Sequence, residues 1–323
     1  MAFFISYHKM IFMRMAFLIM AHKNPSQIER LVRQLDHEDF DIYLHLDKKA
    51  NLAAFEYLAE NGRVKFIANR IRVTWGGISI PDSVIASMKE IMSGDIQYDF
   101  ISLISGQDYP LRSAGEIYSY FEKRRGKNFL YLESLISPWW SEANKRINRY
   151  DMVNYSFPGK YRLQWLVNFL MPRKMFPFPF VLYGGPRAAW FTLTPDCAKY
   201  VIDFLHQNPQ VRKFFYHTWG ADEFVFPTVI MNSKFKRTVV IDNDFLYMDW
   251  TAGGCSPKIL TCEDANSLRK SSCYMARKFD VDKDLDVFDL MDKAIEKHAS
   301  VIRFPASQKQ VIPIKNPLRA KGF

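Results

Sequence analysis

The sequence has few cysteines and lacks the motifs of several large protein classes. Only four cysteines occur among 323 residues, in no zinc-ligand pattern, and a chain of this length does not need disulfides to fold. We therefore expect free thiols in a reducing compartment. No P-loop and no Gly-x-Gly-x-x-Gly follows the first apolar segment, which argues against an NTPase and a dinucleotide enzyme. Zinc-finger spacing, RNA-binding sheet signatures and Arg-rich tracts are also missing, so we expect no nucleic-acid partner.

What the sequence does contain is enough apolar residues for a sizeable core, together with an excess of positive charge. Hydrophobic residues make up 48% of the chain, and the formal net charge is +10. A basic chain favours anionic partners such as acidic lipid or phosphorylated substrates. Because the charge is spread along the chain, simple solvation of the surface accounts for much of it.

The two ends of the chain differ from the rest. Residues 1–20 are rich in Phe, Ile and Met, but basic residues interrupt the run, which is too short and broken to span a bilayer. It also lacks a signal-peptide cleavage pattern. We expect residues 1–14 to be a non-native or disordered extension, with the folded chain beginning at Met15. The basic tail, residues 305–323, is expected to be loose.

Apolar segments alternate with amphipathic ones over most of the chain. Strands are predicted at residues 16–21, 41–46, 64–68, 100–104, 129–132, 188–193, 238–241 and 258–261. Helices are predicted from Pro25 onward, with Asn24 as the cap, and at residues 53–60, 81–92, 114–123, 195–206, 223–231 and 285–298. This alternation indicates a single α/β domain with a Rossmann-like, mostly parallel central sheet flanked by helices.

Polar residues follow the predicted strands at the edge where such sheets bind ligands. His22, Asp47, the segment Thr74-Trp-Gly-Gly77 and Asp108 occupy these positions.

Residues 135–183 interleave basic and aromatic side chains, and they show neither the strand pattern nor the helix pattern of the rest of the chain. The segment is predicted to be an acceptor-side insertion or a membrane-facing surface. An ordinary connecting segment with a solvated face explains the composition as well.

Five short segments carry a resemblance to a known family. They are His45-Leu-Asp-Lys-Lys49, Val73-Thr-Trp-Gly-Gly77, Leu103-Ile-Ser-Gly-Gln-Asp-Tyr-Pro-Leu111, Trp219-Gly-Ala-Asp-Glu223, and Ser256-Pro-Lys-Ile-Leu-Thr261 with Ala276-Arg-Lys-Phe-Asp280. In this order and with these gaps, the chain resembles glycosyltransferase family 14, which contains the core-2 and I-branching β-1,6-N-acetylglucosaminyltransferases and the peptide O-xylosyltransferases. The resemblance implies a GT-A-type fold, an inverting reaction and no required metal.

The family resemblance identifies Glu223 as the catalytic base. An inverting transfer is a single displacement in which the acceptor hydroxyl loses its proton, and a partly buried carboxylate suits that task. Ala221 departs from the proline found in many relatives. The alternative is that Asp222 and Glu223 only favour a helix N-terminus.

Most GT-A enzymes stabilise the charge on the leaving diphosphate with a divalent metal held by an Asp-x-Asp motif. The comparable loop here, residues 105–108, offers only Asp108, and a hard cation needs more oxygen ligands. Basic side chains can replace the metal. Lys278 matches the family's diphosphate-binding lysine, Lys258 stands where the animal branching enzymes have arginine, and Arg277 is a nearby alternative. Solvated surface bases are the alternative for each.

The remaining candidates concern binding of the donor and the acceptor. On the donor side, His22 and Asp47 lie at strand ends where a nucleotide would bind, and Asp47 resembles the family's uridine-contacting aspartate; Trp75 and Asp108 lie in family segments and are further donor candidates. Alternatively these residues cap a helix, form a turn, pack in the core or position a loop. On the acceptor side, Glu133 resembles an acceptor-binding glutamate, and Arg146 and Arg149 fall in a region where the branching enzymes place acceptor-binding bases. Tyr247, Asp249 and Trp250 could form a sugar-stacking platform or pack in the core.

Within the domain, we expect a nucleotide-binding half at residues 15–134, the insertion at 135–183 and a catalytic and acceptor half at 184–304. The predicted reaction transfers a sugar, first of all N-acetylglucosamine, from a UDP-sugar to a glycan or lipid-linked glycan. The alternatives are a UDP-xylose-dependent enzyme, a metal-dependent transferase and a non-catalytic carbohydrate-binding protein. Without the cysteine load or anchor of the animal members, the chain is expected to be a bacterial cytoplasmic protein, with peripheral contact to the inner membrane.

Overall fold

Two β-sheets organise the described part of the chain, which covers residues 12–241 and 245–302 of a computed structural model. The strands are β1 Met15–Ala21, β2 Phe40–Leu46, β3 Val64–Phe66, β4 Phe100–Ser105, β5 Asp108–Pro110, β6 Asn128–Leu130, β7 Phe191–Leu193, β8 Val239–Ile241, β9 Leu246–Met248 and β10 Met275–Arg277. The larger sheet has the order β3-β2-β1-β4-β7-β6-β8, and the smaller one has the order β5-β10-β9.

The centre of the large sheet is parallel and buried on both faces. β1 lies between β2 and β4 and runs parallel to both, and β2 runs parallel to β3. Successive residues of β1 enter different cores, with Phe17 and Ile19 in one cluster and Ala16 and Leu18 in the other. This double burial explains why the strand reads as a continuous apolar run. The predicted α/β class with a mostly parallel central sheet is confirmed.

The other side of the large sheet has mixed strand directions. β7 is antiparallel to β4 and to β6, whereas β6 is parallel to β8. The predicted strand at residues 258–261 is wrong. This segment makes single backbone hydrogen bonds, from Lys258 to Asp249 and from Leu260 to Lys278 (both 2.8 Å), and forms no ladder.

The small sheet was not predicted. Each of its strands has only three residues, too few to show a period of two. β10 is antiparallel to β5 and parallel to β9. Its register pairs Arg277 with Asp108, so two candidate residues far apart in sequence become direct neighbours.

Helices cover both faces of the large sheet. They are α1 Pro25–Gln34, α2 Ser79–Met92, α3 Ala114–Glu122, α4 Trp139–Asn148, α5 Lys160–Leu170, α6 Pro195–Gln207, α7 Pro209–Tyr216, α8 Val225–Met231, α9 Ala265–Lys270 and α10 Asp286–Ile302. The helix predicted at 53–60 is replaced by two short 3-10 helices, Leu52–Ala54 and Glu56–Glu60.

Of two predicted helix starts, one is confirmed and one needs correction. α1 begins at Pro25 with Asn24 in the cap position, as predicted, but Asn24 has a left-handed backbone (φ 57°) and its side chain donates hydrogen bonds to Asp280 and Asp282 rather than capping α1. Glu223 does not begin α8. It ends a separate 3-10 helix, Ala221–Glu223, and the α-helix starts at Val225.

The folded structure also begins before Met15. Met13 is completely buried in the core, and the backbone N–H of Arg14 donates to Asp99 (2.8 Å) while its side chain pairs with Asp41. The predicted boundary between extension and domain is therefore too late by at least two residues. Residues 1–11 and 303–323 lie outside the described residues.

Residues 135–183 contain α4 and α5, which differ in their burial. Trp140, Ala143 and Ile147 of α4 are buried, whereas α5 has no buried residue. Within residues 12–241 and 245–302, no helix combines the length and apolar character needed to cross a bilayer.

Candidate active site

The ends of three parallel strands bring the predicted donor-side residues to one edge of the sheet. Ala21 lies opposite Leu46, and Met20 lies opposite Ser105, so the segments that begin at His22, Asp47 and Gly106 emerge side by side. A small cleft opens between the first and third of these segments, lined by Met20, Ala21, His22, Lys23, Asn24, Gln27, Ser105, Gly106 and Gln107. This is the position where open α/β sheets bind ligands.

Asp47 is buried and holds its own loop. Its carboxylate accepts the backbone N–H of Lys49 (2.9 Å), and the Lys49 ammonium lies 3.4 Å away. The Asp47 oxygen that accepts the Lys49 N–H, Oδ1, also accepts the backbone N–H of Val73 at 3.5 Å. This hydrogen bond joins the loop to the next family segment. The turn-forming role is therefore visible in the structure, and the contact with uridine stays a prediction.

The entrance to the cleft carries positive charge. His22 is exposed at its rim, and its pKa is lowered, first by desolvation and then by the charge of Lys23, with Lys278 and Lys49 acting in the same direction. Lys23 itself is bound to Asp280 at 2.7 Å. An anionic group in the cleft would offset this mutual repulsion.

Lys278 and Lys258, the two predicted diphosphate lysines, have different surroundings. Lys258 forms an ion pair with Asp264 at 2.6 Å, within the capping box of Thr261 and Asp264. Among the described residues, the ammonium of Lys278 has no hydrogen bond or ion pair. Partial burial lowers the pKa of Lys278 and the charge of Arg277 lowers it further, while Asp280 acts in the opposite direction. Of the two lysines, Lys258 is therefore the one that a described carboxylate pairs directly.

Asp108 and Arg277 face each other in the interior. Asp108 is fully buried, accepts the backbone N–H of Ser105 (2.8 Å) and lies 3.2 Å from the Arg277 guanidinium. That guanidinium also stacks over Trp190, 4.0 Å from the ring centroid. Burial raises the pKa of Asp108, and Arg277 opposes the rise. Both groups are thus engaged in joining β5 to β10, and their predicted contacts with the donor stay predictions.

Glu223 and Arg146, predicted separately as base and acceptor ligand, form one unit. The Arg146 guanidinium donates to the Glu223 carboxylate at 2.8 Å. It also lies 5.0–5.4 Å from the ring centroids of Trp139, Trp219 and Phe224. Arg149, by contrast, is exposed at the end of α4.

The protonation of Glu223 is poised near neutrality. Desolvation raises its pKa to about 7, with Arg146 opposing the rise and Asp222 adding to it. Burial likewise raises the pKa of Asp222 to about 6, and both Arg146 and Arg277 act against that rise. Asp222, the neighbour of the candidate base, therefore lies within electrostatic range of both Arg146 and Arg277 of β10.

Two family segments are packed directly against each other beside Glu223. The backbone N–H of Gly220 donates to the carbonyl of Gly76 (2.8 Å), and the rings of Trp75 and Trp219 meet edge to face at 5.2 Å. Trp75 is 62% exposed, so it is not a core residue and its ring is available to a ligand.

Glu133 lies beside the segment of Glu223 because Gly184 and Gly185 let the backbones approach closely. These two glycines are not among the residues singled out from the sequence. Its backbone N–H donates to the carbonyl of Gly184 (2.8 Å), and a Cβ on Gly184 would stand 2.8 Å from the Glu223 carbonyl. The Glu133 carboxylate accepts the Tyr131 hydroxyl at 2.9 Å, and Arg187 stacks over the Tyr131 ring at 3.7 Å. The adjacent pair of glycines was the sequence signal for this close backbone approach.

Tyr247 lies in β9, opposite Ala276 of β10, and Asp249 and Trp250 follow that strand. Asp249 accepts hydrogen bonds from the backbone N–H (2.8 Å) and hydroxyl (2.6 Å) of Thr251, which lower its pKa. Tyr247 and Trp250 are half-buried. The structure therefore places this group on the β10 side, next to the donor-side candidates.

Comparison with known proteins identifies the class to which this fold and site belong. A sequence model of the family described as Core-2/I-Branching enzyme matches residues 15–269. The chain therefore belongs to the Core-2/I-branching enzyme family of glycosyltransferases.

Among curated proteins, the chain is similar to Xylosyltransferase 2 of Rattus norvegicus, with 27% identity over 303 residues that cover 86% of this chain and 33% of that protein. It is also similar to Xylosyltransferase 1 of Canis lupus familiaris, with 24% identity over 301 residues covering 86% and 30%. The chain thus spans about a third of the length of these relatives.

Solved structures show weaker likeness. Mouse xyloside xylosyltransferase 1 gives a TM-score of 0.40 at 11% identity, covering 82% of this chain and 96% of that one. TarS residues 1–349 of S. aureus, in complex with UDP, gives a TM-score of 0.38 at 10% identity, covering 87% and 65%.

Proposed function

We propose that this protein transfers a sugar from a UDP-sugar to a hydroxyl of a glycan acceptor in one inverting displacement, with Glu223 as the base. The observation that carries the proposal is the Glu223 carboxylate, largely buried, held by Arg146 and with a pKa raised to about 7. A base with a pKa near the working pH is efficient in general-base catalysis.

In the proposed step, one bond forms as another breaks. The acceptor oxygen attacks the anomeric carbon while its proton passes to Glu223, and the bond from that carbon to the diphosphate oxygen breaks. UDP leaves with the electron pair, and the ammonium of Lys278 stabilises its charge without a metal. The positive rim of the strand-end cleft supports the diphosphate at this position.

The first candidate donor is UDP-N-acetylglucosamine, and the second is UDP-xylose. Membership of the Core-2/I-branching enzyme family supports the first donor, and the similarity to xylosyltransferases favours the second. A UDP-release assay with both donors, followed by linkage analysis of the product, separates them. A lipid-linked acceptor and a location at the inner face of a membrane remain predictions within this proposal.

Replacement of Glu223 by Gln tests the base. We expect the turnover rate to fall by about 100- to 10,000-fold, because a general base typically contributes this much, while UDP affinity stays unchanged. Glu142→Gln is the matched control, since Glu142 is an exposed acid of α4 paired with Lys145. A Glu223→Gln enzyme with wild-type turnover would refute this mechanism.

A further inference from the structure

Helix α5 presents its apolar side chains to the outside of the protein. Tyr161, Trp165 and Phe169 follow one another at intervals of four residues and are 68–72% exposed. On the neighbouring row, Leu166 and Leu170 are exposed as well. The rings of Trp165 and Phe169 stack on each other with centroids 5.6 Å apart. Contiguous exposed apolar patches of this kind mark interaction sites.

The side of α5 that faces the protein is polar. Gln164 accepts the backbone N–H of Met152 (2.8 Å), and Asn168 pairs with both the N–H and the carbonyl of Tyr150 (2.8 Å each). A surface helix ordinarily buries its apolar stripe and exposes its polar one. In α5 this arrangement is reversed, so the core of this protein does not account for the apolar face.

The part of the chain that forms and follows α5 carries positive charge only, with Asp151 as the nearest acid before it. Residues 152–195 contain no Asp or Glu, whereas they contain Lys160, Arg162, Arg173, Lys174 and Arg187. Arg162 and Arg173 are exposed. Aromatic and leucine side chains flanked by basic ones suit the interface of an anionic bilayer, where rings lie at headgroup level and bases meet lipid phosphates.

We propose that the exposed face of α5, formed by Tyr161, Trp165, Leu166, Phe169 and Leu170, docks this protein on an anionic phospholipid surface. A second copy of the chain is the less suitable occupant, because a symmetric dimer through this face would bring its positive charges against each other. The inference does not depend on the chemistry at Glu223. Tyr150, which Asn168 of α5 holds, lies two residues after the end of α4. Docking would therefore also bring α4, with its Arg146, toward the bilayer.

Sedimentation with vesicles tests the docking face. The full chain is mixed with vesicles of phosphatidylcholine alone or of phosphatidylcholine with phosphatidylglycerol. We expect binding to the anionic vesicles, and at least about a tenfold weaker partition for the double variant Trp165→Ser, Phe169→Ser, since the bound state buries both rings. The double variant Arg162→Gln, Arg173→Gln should lose the preference for anionic vesicles.

The matched control is Leu285→Ser, which removes an apolar side chain 52% exposed elsewhere on the surface. It should bind vesicles like the unmodified chain. All variants should keep the thermal midpoint, because the altered side chains are exposed. The inference is overturned if the unmodified chain ignores both vesicle types, if Leu285→Ser loses binding equally, or if sedimentation velocity shows a dimer that only the Trp165, Phe169 variant disperses.

Discussion

Glu223 and Arg146 lie 77 positions apart in the chain and act on each other through one hydrogen bond. Burial makes ionised Glu223 costly and raises its pKa, whereas the adjacent guanidinium lowers it. The resulting pKa of about 7 leaves the carboxylate partly deprotonated at neutral pH, as a base requires.

This balance predicts the pH dependence of transfer. The rate should rise with pH through about 7, because only ionised Glu223 accepts a proton. Arg146→Gln removes the positive charge that lowers the pKa, so the rising limb should move to higher pH. Arg149→Gln, at an exposed position on the same segment, should leave the limb in place. A limb that does not move in the Arg146 variant would show that another group controls it; a pH series of kcat/KM provides the measurement.

The two predicted diphosphate lysines should separate in a binding measurement. Lys278→Gln should weaken UDP affinity by about tenfold or more, since hydrogen bonds to charged groups contribute about 1.5–3 kcal/mol. Lys258→Gln should have a smaller effect, because Asp264 already neutralises that ammonium. Titration calorimetry with UDP decides between them, and equal losses would assign both lysines to the diphosphate.

At the scale of elements, a loop packs against the segment that carries Glu223. The loop at Gly76 packs against the Trp219 ring, and Gly76 has a left-handed backbone with φ 71°. A Cβ there would lie 2.7 Å from the indole nitrogen of Trp219. Glycine is therefore required at this position for two reasons: the backbone is left-handed, and the Trp219 ring leaves no room for a Cβ.

Gly76→Ala should destabilise the protein by about 1–3 kcal/mol, through left-handed strain and overpacking. Gly115→Ala is the control, since Gly115 lies in α3 with open space around it, and alanine there should stabilise by up to about 1 kcal/mol. Urea unfolding of both variants gives the comparison. A Gly76 variant as stable as the parent would mean that the loop shifts freely away from Trp219.

At the scale of the whole molecule, the positions of the acidic side chains bear on whether the reaction requires a metal ion. Asp108, the one acid of the loop after β4, is buried against Arg277. Among the described residues, no group of three or more His, Cys, Asp or Glu side chains is placed to hold an ion. We therefore predict full transferase activity in excess EDTA. Activity that disappears in EDTA and returns with added Mn²⁺ or Mg²⁺ would contradict the proposal.

The sequence alone was sufficient for the class of fold, because strands buried on both faces read as apolar runs and their helices show a clear period. It also supplied the five family segments and proposed Glu223, Lys278 and Arg146 as candidates.

Only the tertiary structure decided which of these residues meet. The pairing of Asp108 with Arg277 depends on three-residue strands that leave no periodic signal, and the contact of Arg146 with Glu223 depends on long-range packing. Burial, which raises the pKa of Glu223, is likewise a property of the assembled surroundings. The reversed polarity of α5 became visible only once Gln164 and Asn168 were seen to face inward, because composition does not tell which side of a helix the protein covers.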